Sequence, residues 1–170
     1  MNDTLQIFFA GDHRRLDELL DRATADPEHF DPEAYGKFRV GLLKHIKMEE
    51  TIVFPAFQKS NSGDVPALIG RLRLDHGALT ALMVPPPSPA ILRAIRFILK
   101  GHNALEEASE GLYEKCDAMK EGVIEEMKHK LEAIGEVPVV PHRSEPFVLD
   151  ATRRALLRAG YHYEDFEKNE

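Results

Sequence analysis

The chain has 170 residues, of which 43% are hydrophobic, and its formal net charge at pH 7 is −7. This length and apolar content allow one domain with a sizeable core, and nothing in them requires a second. The acidic balance and the lack of a basic stretch exclude a typical nucleic-acid-binding surface, so we expect no nucleic-acid partner.

Cysteine usage and the N-terminal residues indicate the compartment. Cys116 is the only cysteine, so no disulfide can form within the chain and a reducing compartment is expected. The N-terminal apolar run LQIFFA is too short to span a membrane, and no basic residue precedes it. It therefore fits neither a membrane anchor nor a signal peptide. We expect a cytoplasmic protein without a membrane partner.

The first half of the chain contains two runs in which apolar residues recur at helical spacing. One extends from about residue 3 to residue 25 and ends at the proline-containing loop DPEHFDPE. The other extends from residue 33 to about residue 58, and we expect Pro55 to kink its last turns. Both runs are predicted to be long helices.

Two further helices are predicted beyond the loop KSNSGD. Asp64 can cap a third helix that runs to Val84, where PPPSP ends it. Ser88 can cap a fourth helix that continues through Leu112. Since no alternating β-branched run competes, the chain is predicted to be all-α. Four long helices with short loops are most simply an up-down-up-down four-helix bundle with a C-terminal extension.

The C-terminal third carries weaker signals. EGVIEEMKHKLEAIG has helical periodicity, so it is either an extra helix or a continuation of the fourth helix past Gly122. EVPVVPHRSEPFVLD is predicted to be extended because of its prolines, and Asp150 to cap a short final helix. We therefore expect a bundle over residues 1–120 and an appendage over residues 121–170 that packs on the same domain.

Four histidines fall one on each predicted long helix, and each lies within the apolar stripe of its helix. They are His13, His45, His76 and His102. The first two lie about twelve residues from the loop between their helices, so both are roughly 18 Å from it and level with each other. All four are expected to point inward.

The histidines belong to a sequence repeat. An Asp-His pair occurs at residues 12–13 and again at residues 75–76, and each pair is followed by a His-x-x-x-Glu-Glu segment, HIKMEE and then HNALEE. The spacing from the first His to the second is 32 residues in one copy and 26 in the other. The repeat predicts one metal site that is built from two half-sites.

The chemistry of such a site requires a cation. An uncompensated buried carboxylate costs several kcal/mol, whereas a divalent or trivalent cation removes that cost. Glu49 and Glu106 each follow a histidine by four residues, so each His-Glu pair faces one point. Four imidazoles and two bridging carboxylates fit two iron ions better than manganese or a closed tetrahedral zinc site. A ferritin-like site needs two Glu-x-x-His motifs, and the chain has this motif once, at Glu126 and His129.

These residues, together with HIKMEETIVFP, resemble the hemerythrin-like, or HHE cation-binding, family over roughly residues 3–115. The resemblance implies a four-helix bundle with a non-haem di-iron centre. It implies four histidines as terminal ligands and two glutamates as bridges: His13, His45, His76, His102, Glu49 and Glu106. Oxygen-carrying members place two histidines one turn apart on the third helix, whereas Leu72 and Thr80 flank His76 here. The set is therefore more similar to bacterial and regulatory relatives.

The resemblance implies the handling of a small molecule, namely dioxygen, peroxide or nitric oxide. Oxidoreductase or peroxidase-like activity is one form of this function, and whether the chain is an enzyme stays open. The alternative is a non-catalytic module for metal storage, delivery or iron and oxygen sensing through a protein partner. A homodimer is also left open.

Several residues near the predicted ligands have more ordinary interpretations. Asp12 and Asp75 lie about 100° around their helices from the ligand face, where we expect surface salt bridges. The alternative is that they orient the imidazoles of the site. Glu107 is expected to be solvated or paired with arginine. Tyr113 either packs in the core or donates a hydrogen bond near the centre, and Cys116 is expected to be a small buried residue.

Overall fold

The computed structural model describes residues 4–26, 29–61 and 66–168. No strand occurs within these residues, so the predicted all-α class is confirmed. The elements are α1 (Leu5–Ala23), α2 (Pro32–Met48), a π-helical turn (Glu49–Val53), α3 (Phe54–Ser60), α4 (Ala67–Leu82), α5 (Pro89–Glu107), α6 (Leu112–Asp117), α7 (Glu121–Ala133), α8 (Pro146–Arg158) and α9 (Glu164–Glu167).

The chain divides into two compact units, each assembled from two stretches of sequence. The first unit comprises Met1–Val65 and Glu106–Val139. The second comprises Pro66–Leu105 and Val140–Glu170. The expected division into residues 1–120 and 121–170 stays a prediction.

In the first unit, α1 is fixed at its N-terminus by two side chains. The Thr4 side chain accepts a hydrogen bond from the backbone N–H of Ile7, as an N-cap does. The carboxylate of Asp117, at the end of α6, accepts from the N–H groups of Leu5 and Gln6 at 2.8 and 3.0 Å. These bonds satisfy backbone donors that a helix N-terminus leaves open. They also fix α6 beside α1.

The second predicted helix forms as one continuous helical segment, with a change of hydrogen-bond register inside it. Asp31 caps α2, which starts with Pro32 at its first position. The expected distortion at Pro55 takes the form of the π-helical turn directly before it, where the Phe54 N–H bonds to the Glu49 carbonyl. A proline lacks an N–H and its ring crowds the carbonyl four residues earlier, so a wider turn relieves the conflict.

The second unit contains α4, α5 as far as Leu105, α8 and α9. α4 begins at Ala67 with Pro66 at the N-cap, and the predicted cap Asp64 lies outside the described residues. The Ser88 hydroxyl accepts from the Ile91 N–H at 3.3 Å, which confirms the predicted cap of α5. The hydroxyl of Thr152 on α8 donates to a carbonyl on α4 at 3.1 Å, and this bond attaches the C-terminal segment.

Two predicted boundaries are wrong. The fourth helix ends at Glu107, and Leu112 belongs to the separate helix α6. Between them Glu110 has φ = 61°, and a Cβ on Gly111 would lie 2.6 Å from a backbone carbonyl oxygen, so the chain turns where only glycine fits. The last long helix begins at Pro146 and not after Asp150, since proline is favoured at the first helical position. The open alternative for residues 121–133 is resolved as an extra helix, α7.

Candidate metal centre

All six predicted ligands are buried. Their exposed fractions are 3% or less: His13 3%, His45 2%, Glu49 0%, His76 3%, His102 2% and Glu106 0%. Groups of this polarity are buried at a cost unless they are hydrogen-bonded, paired or bound to a metal. The burial itself was expected from the position of these residues in the apolar stripes.

Four of the six lie together in the first unit. The Nε2 atoms of His13 on α1 and His45 on α2 are 3.1 Å apart. The Nε2 of His13 lies 3.4 Å from Glu106, and that of His45 lies 3.4 Å from Glu49. Ligand atoms of His13, His45 and Glu106 all fall within 4.8 Å of one another. Two imidazole edges therefore face two carboxylates in a buried space.

The other ring nitrogen of each imidazole contacts a further carboxylate. The Nδ1 of His13 lies 2.5 Å from Glu107, and the Nδ1 of His45 lies 2.9 Å from Asp12. A carboxylate at Nδ1 favours a proton on that nitrogen, which leaves the Nε2 lone pair for a metal. For Asp12 this contact matches the alternative left open by the sequence, whereas Glu107 was predicted to be solvated or paired with arginine. Asp12 forms the expected surface ion pair with Arg15 as well.

The phenol of Tyr113 on α6 completes this cluster. Its hydroxyl lies 2.6 Å from Glu49 and 3.0 Å from Glu106, so it can donate its proton to either carboxylate. Burial, followed by the charges of Glu106 and Glu49, raises the pKa of Tyr113 far above its ordinary value. The ring stacks on Phe9 with centroids 4.8 Å apart. Of the two interpretations left open by the sequence, the hydrogen bond near the centre is the one formed.

The electrostatics of the first unit fit a cation. If both Nδ1 atoms carry protons, two Nε2 lone pairs would face each other at 3.1 Å, an arrangement that a proton or a cation must stabilise. Burial alone would lower the pKa of His13, but hydrogen bonds to Glu106 and Glu107 outweigh it and raise that pKa. Two imidazoles and two carboxylates are also donor types that bind transition-metal ions.

The second unit contains the remaining two predicted ligands, His76 on α4 and His102 on α5. Their ring centroids are 4.8 Å apart and their planes are tilted by 51°. The Nδ1 of His102 lies 3.7 Å from a carboxylate oxygen of Asp75. Asp75 is 1% exposed. It does form a salt bridge, with Arg71, but this bridge lies in the core, so the expectation of a surface position is wrong. Asp75 faces the next helix in the core.

Asp75 is held by two donors from different parts of the second unit. Arg71, one turn earlier on α4, donates to it at 2.7 Å, and the Tyr161 hydroxyl donates at 2.8 Å. Arg71 also donates to the carbonyl of Ala159 at 2.7 Å. Burial and the hydrogen bond to Asp75 raise the pKa of Tyr161 to about 12, so its hydroxyl keeps its proton. Through Asp75, the C-terminal segment thus contributes to the surroundings of His102.

The orienting role of the two aspartates is the alternative that the sequence had left open, and one signal for it was visible. The repeated Asp-His pairs place Asp12 and Asp75 one residue before a predicted ligand. In the structure each aspartate contacts the histidine of the following long helix, His45 or His102, and not its neighbour in sequence. Tyr161 had no signal, because its role depends on where the C-terminal segment packs.

The family is established by comparison with known families. The model of the hemerythrin HHE cation binding domain matches residues 6–114, and the chain belongs to this family. Its fold is accordingly the all-α hemerythrin-like bundle that the sequence predicted. Neither a curated protein nor a solved structure matches the chain. Binding of a metal ion is the property that the family and the buried His/Glu cluster share.

Within the described parts of the chain, no helix combines the length and apolar character that crossing a membrane requires.

Proposed function

We propose that the chain is a non-haem di-iron protein that handles a small oxidant or gas, namely dioxygen, peroxide or nitric oxide. The proposed terminal ligands are four histidines and the proposed bridges are two glutamates: His13, His45, His76, His102, Glu49 and Glu106. The observation that carries the proposal is the buried cluster in which two imidazole Nε2 atoms and two carboxylates converge.

The donor set favours a pair of iron ions. Six protein donors, two of them shared, leave coordination positions open on two six-coordinate ions, whereas a structural zinc site is closed by four ligands. Iron held in this way would supply redox chemistry and a position for a small ligand. The family of cation-binding domains to which the chain belongs supports a metal, and the ligand chemistry supports iron.

The role of the surrounding residues follows from their contacts. Asp12 and Glu107 accept hydrogen bonds at Nδ1 and so orient two imidazoles with Nε2 inward. Tyr113 keeps its proton at Oη and can donate it to a carboxylate oxygen or to a small polar ligand nearby. Phe9 covers the phenol ring and excludes water from this side.

The first experiment is metal analysis. Protein expressed with iron supplied is expected to contain about two irons per chain, and its ferric absorption should bleach on reduction. The reduced protein is then mixed separately with dioxygen, hydrogen peroxide and nitric oxide in a stopped-flow spectrometer. A rapid spectral change with one of them, absent from Glu106→Ala, is the expected result.

The control is His129→Ala, which removes an exposed histidine on α7. It should retain both the iron and the spectral response. One tightly held zinc, or no metal, would contradict the proposal. Stable iron without a response to any of the three small molecules would instead favour metal storage, delivery or sensing through a partner.

A further inference from the structure

A groove of about 860 Å³ lies in the first unit, away from the histidines. One wall consists of the π-helical turn with α3, and the other consists of α6 with α7. Its volume falls within the range of pockets that hold small organic ligands, roughly 300–1,000 Å³. The groove is large enough for a molecule much bigger than the gases and oxidants considered above.

The floor of the groove is apolar. It includes Ile52, Phe57 and Met127, which are 8%, 6% and 2% exposed, and Val123 beside them. The side chains come from both walls, so an apolar chain in the groove would contact α3 and α7 together. Burial of a hydrocarbon chain on such a floor is favourable by roughly 25 cal/mol per Å².

The rim of the groove is cationic, in contrast to the net charge of −7 of the chain. Its lining includes four lysines and one glutamate: Lys59, Lys115, Lys120, Lys130 and Glu126. Glu126 pairs with Lys130 at 2.6 Å, and the charge of Lys59 also acts on it. One carboxylate balances one ammonium group, so three positive charges remain in the lining, at Lys59, Lys115 and Lys120.

The acidic residues close to Lys115 in sequence are engaged elsewhere. Glu114 accepts a hydrogen bond from the backbone N–H of Glu110. Asp117 accepts from the first N–H groups of α1. Within the described residues no ion pair involves Lys115 or Lys120, and both side chains are exposed. An anionic group at this rim would meet two exposed ammonium groups that no described carboxylate pairs with.

We propose that this groove binds the monomeric anion of a long-chain fatty acid, with the hydrocarbon chain on the apolar floor and the carboxylate at Lys115 and Lys120. An extended peptide is a poorer occupant, because the walls are helices and offer no strand edge for backbone pairing. The walls also carry Glu49, on the π-helical turn, and Tyr113, on α6. A bound chain would thus lie against the two elements that hold these groups.

The test is calorimetric titration of the iron-loaded protein with hexadecanoate below its micelle concentration. Three compounds are titrated in parallel as comparisons. Hexadecanol lacks the negative charge, hexadecyltrimethylammonium carries a positive charge instead, and octanoate has a shorter hydrocarbon chain. We expect one hexadecanoate per chain and tighter binding than with any of the other three. Calorimetry detects the heat of hexadecanoate binding and does not depend on iron absorption. Failure of the proposed di-iron site would therefore be distinguishable from failure of the groove to bind the fatty acid.

Three variants locate the binding. The double substitution Lys115→Gln and Lys120→Gln should weaken hexadecanoate binding by roughly three- to tenfold, as expected for two exposed charge contacts. Ala118→Phe, which fills the groove without changing its charge, should abolish binding. Lys128→Gln is the matched control, because Lys128 is on α7 but outside the lining, and should leave the affinity unchanged.

Either of two results would overturn the proposal. One is equal binding of hexadecanoate and hexadecanol that the double substitution does not affect. The other is no binding of hexadecanoate while an acidic amphipathic helical peptide, or a second copy of the chain at high concentration, occupies the groove and is displaced by Ala118→Phe.

Discussion

His45 in the first unit and His102 in the second each have an aspartate of an earlier helix at Nδ1, but at different distances. Asp12 lies 2.9 Å from His45, within hydrogen-bond distance. Asp75 lies 3.7 Å from His102. The repeated Asp-His pair therefore serves the same purpose twice: it delivers a carboxylate to the histidine of the next long helix.

The two aspartates differ more in their other contacts. Asp12 is 16% exposed and pairs with Arg15, whose side chain is 49% exposed. Asp75 is 1% exposed and accepts from Arg71 and from Tyr161 of the C-terminal segment. In the first unit the aspartate is anchored at the surface, and in the second it is anchored in the core. The same sequence motif thus depends on local interactions in one case and on a distant segment in the other.

The largest expected effect separates a bridging ligand from a terminal one. Glu106→Ala should lower the iron content from about two ions per chain to below one, because a bridge is shared by both ions. His102→Ala should leave about one ion, since an imidazole is proposed to bind a single metal. Metal analysis by mass spectrometry measures both. Identical iron contents in the two variants would contradict the assignment of roles.

The next effect concerns stability without metal. Asp75→Asn should lower the free energy of unfolding by about 2 kcal/mol, because Arg71 and Tyr161 lose a charged acceptor in the core. Asp12→Asn should cost less than about 1 kcal/mol, since its ion pair is partly exposed. Urea unfolding of the iron-free proteins measures the difference. Equal losses would show that the two aspartates are anchored alike.

Metal affinity should rank the same two variants in the opposite order. Removal of a carboxylate that supports a ligating imidazole weakens metal binding by roughly 10- to 100-fold. Asp12→Asn should approach this range, because its contact to His45 is a short hydrogen bond. Asp75→Asn should have the smaller effect, because its distance to His102 is 3.7 Å. Competition with an iron chelator at fixed pH gives both affinities, and a larger loss for Asp75→Asn would break the comparison.

The smallest effect tests the C-terminal segment. Tyr161→Phe removes the 2.8 Å hydrogen bond to Asp75 but keeps the ring, so it should lower stability by about 1 kcal/mol. Tyr163→Phe is the matched control, because Tyr163 is in the same segment, and its ring is covered by Arg153. Thermal unfolding followed by circular dichroism distinguishes the two. A loss in the control as large as in Tyr161→Phe would mean that the bond to Asp75 adds nothing beyond the general cost of removing a hydroxyl in this segment.

The sequence by itself determined the all-α class, the burial of the six predicted ligands and the cap of α5 at Ser88. These features depend on helical periodicity and on short-range capping, which a single stretch of sequence contains in full. The repeat at residues 12–13 and 75–76 was visible in the same way, although its purpose was not.

Only the tertiary structure decided which group each aspartate faces, that Tyr113 donates between two carboxylates and that Tyr161 reaches Asp75. From helical periodicity alone, a position 100° around a helix from the apolar stripe is predicted to face solvent. In the folded chain, a neighbouring helix or the C-terminal segment can cover that position. The turn at Gly111 was equally hidden, because it depends on the close approach of a backbone carbonyl. The contacts of Asp12, Asp75 and Tyr161 join residues that lie tens of positions apart, so the local sequence pattern does not predict them.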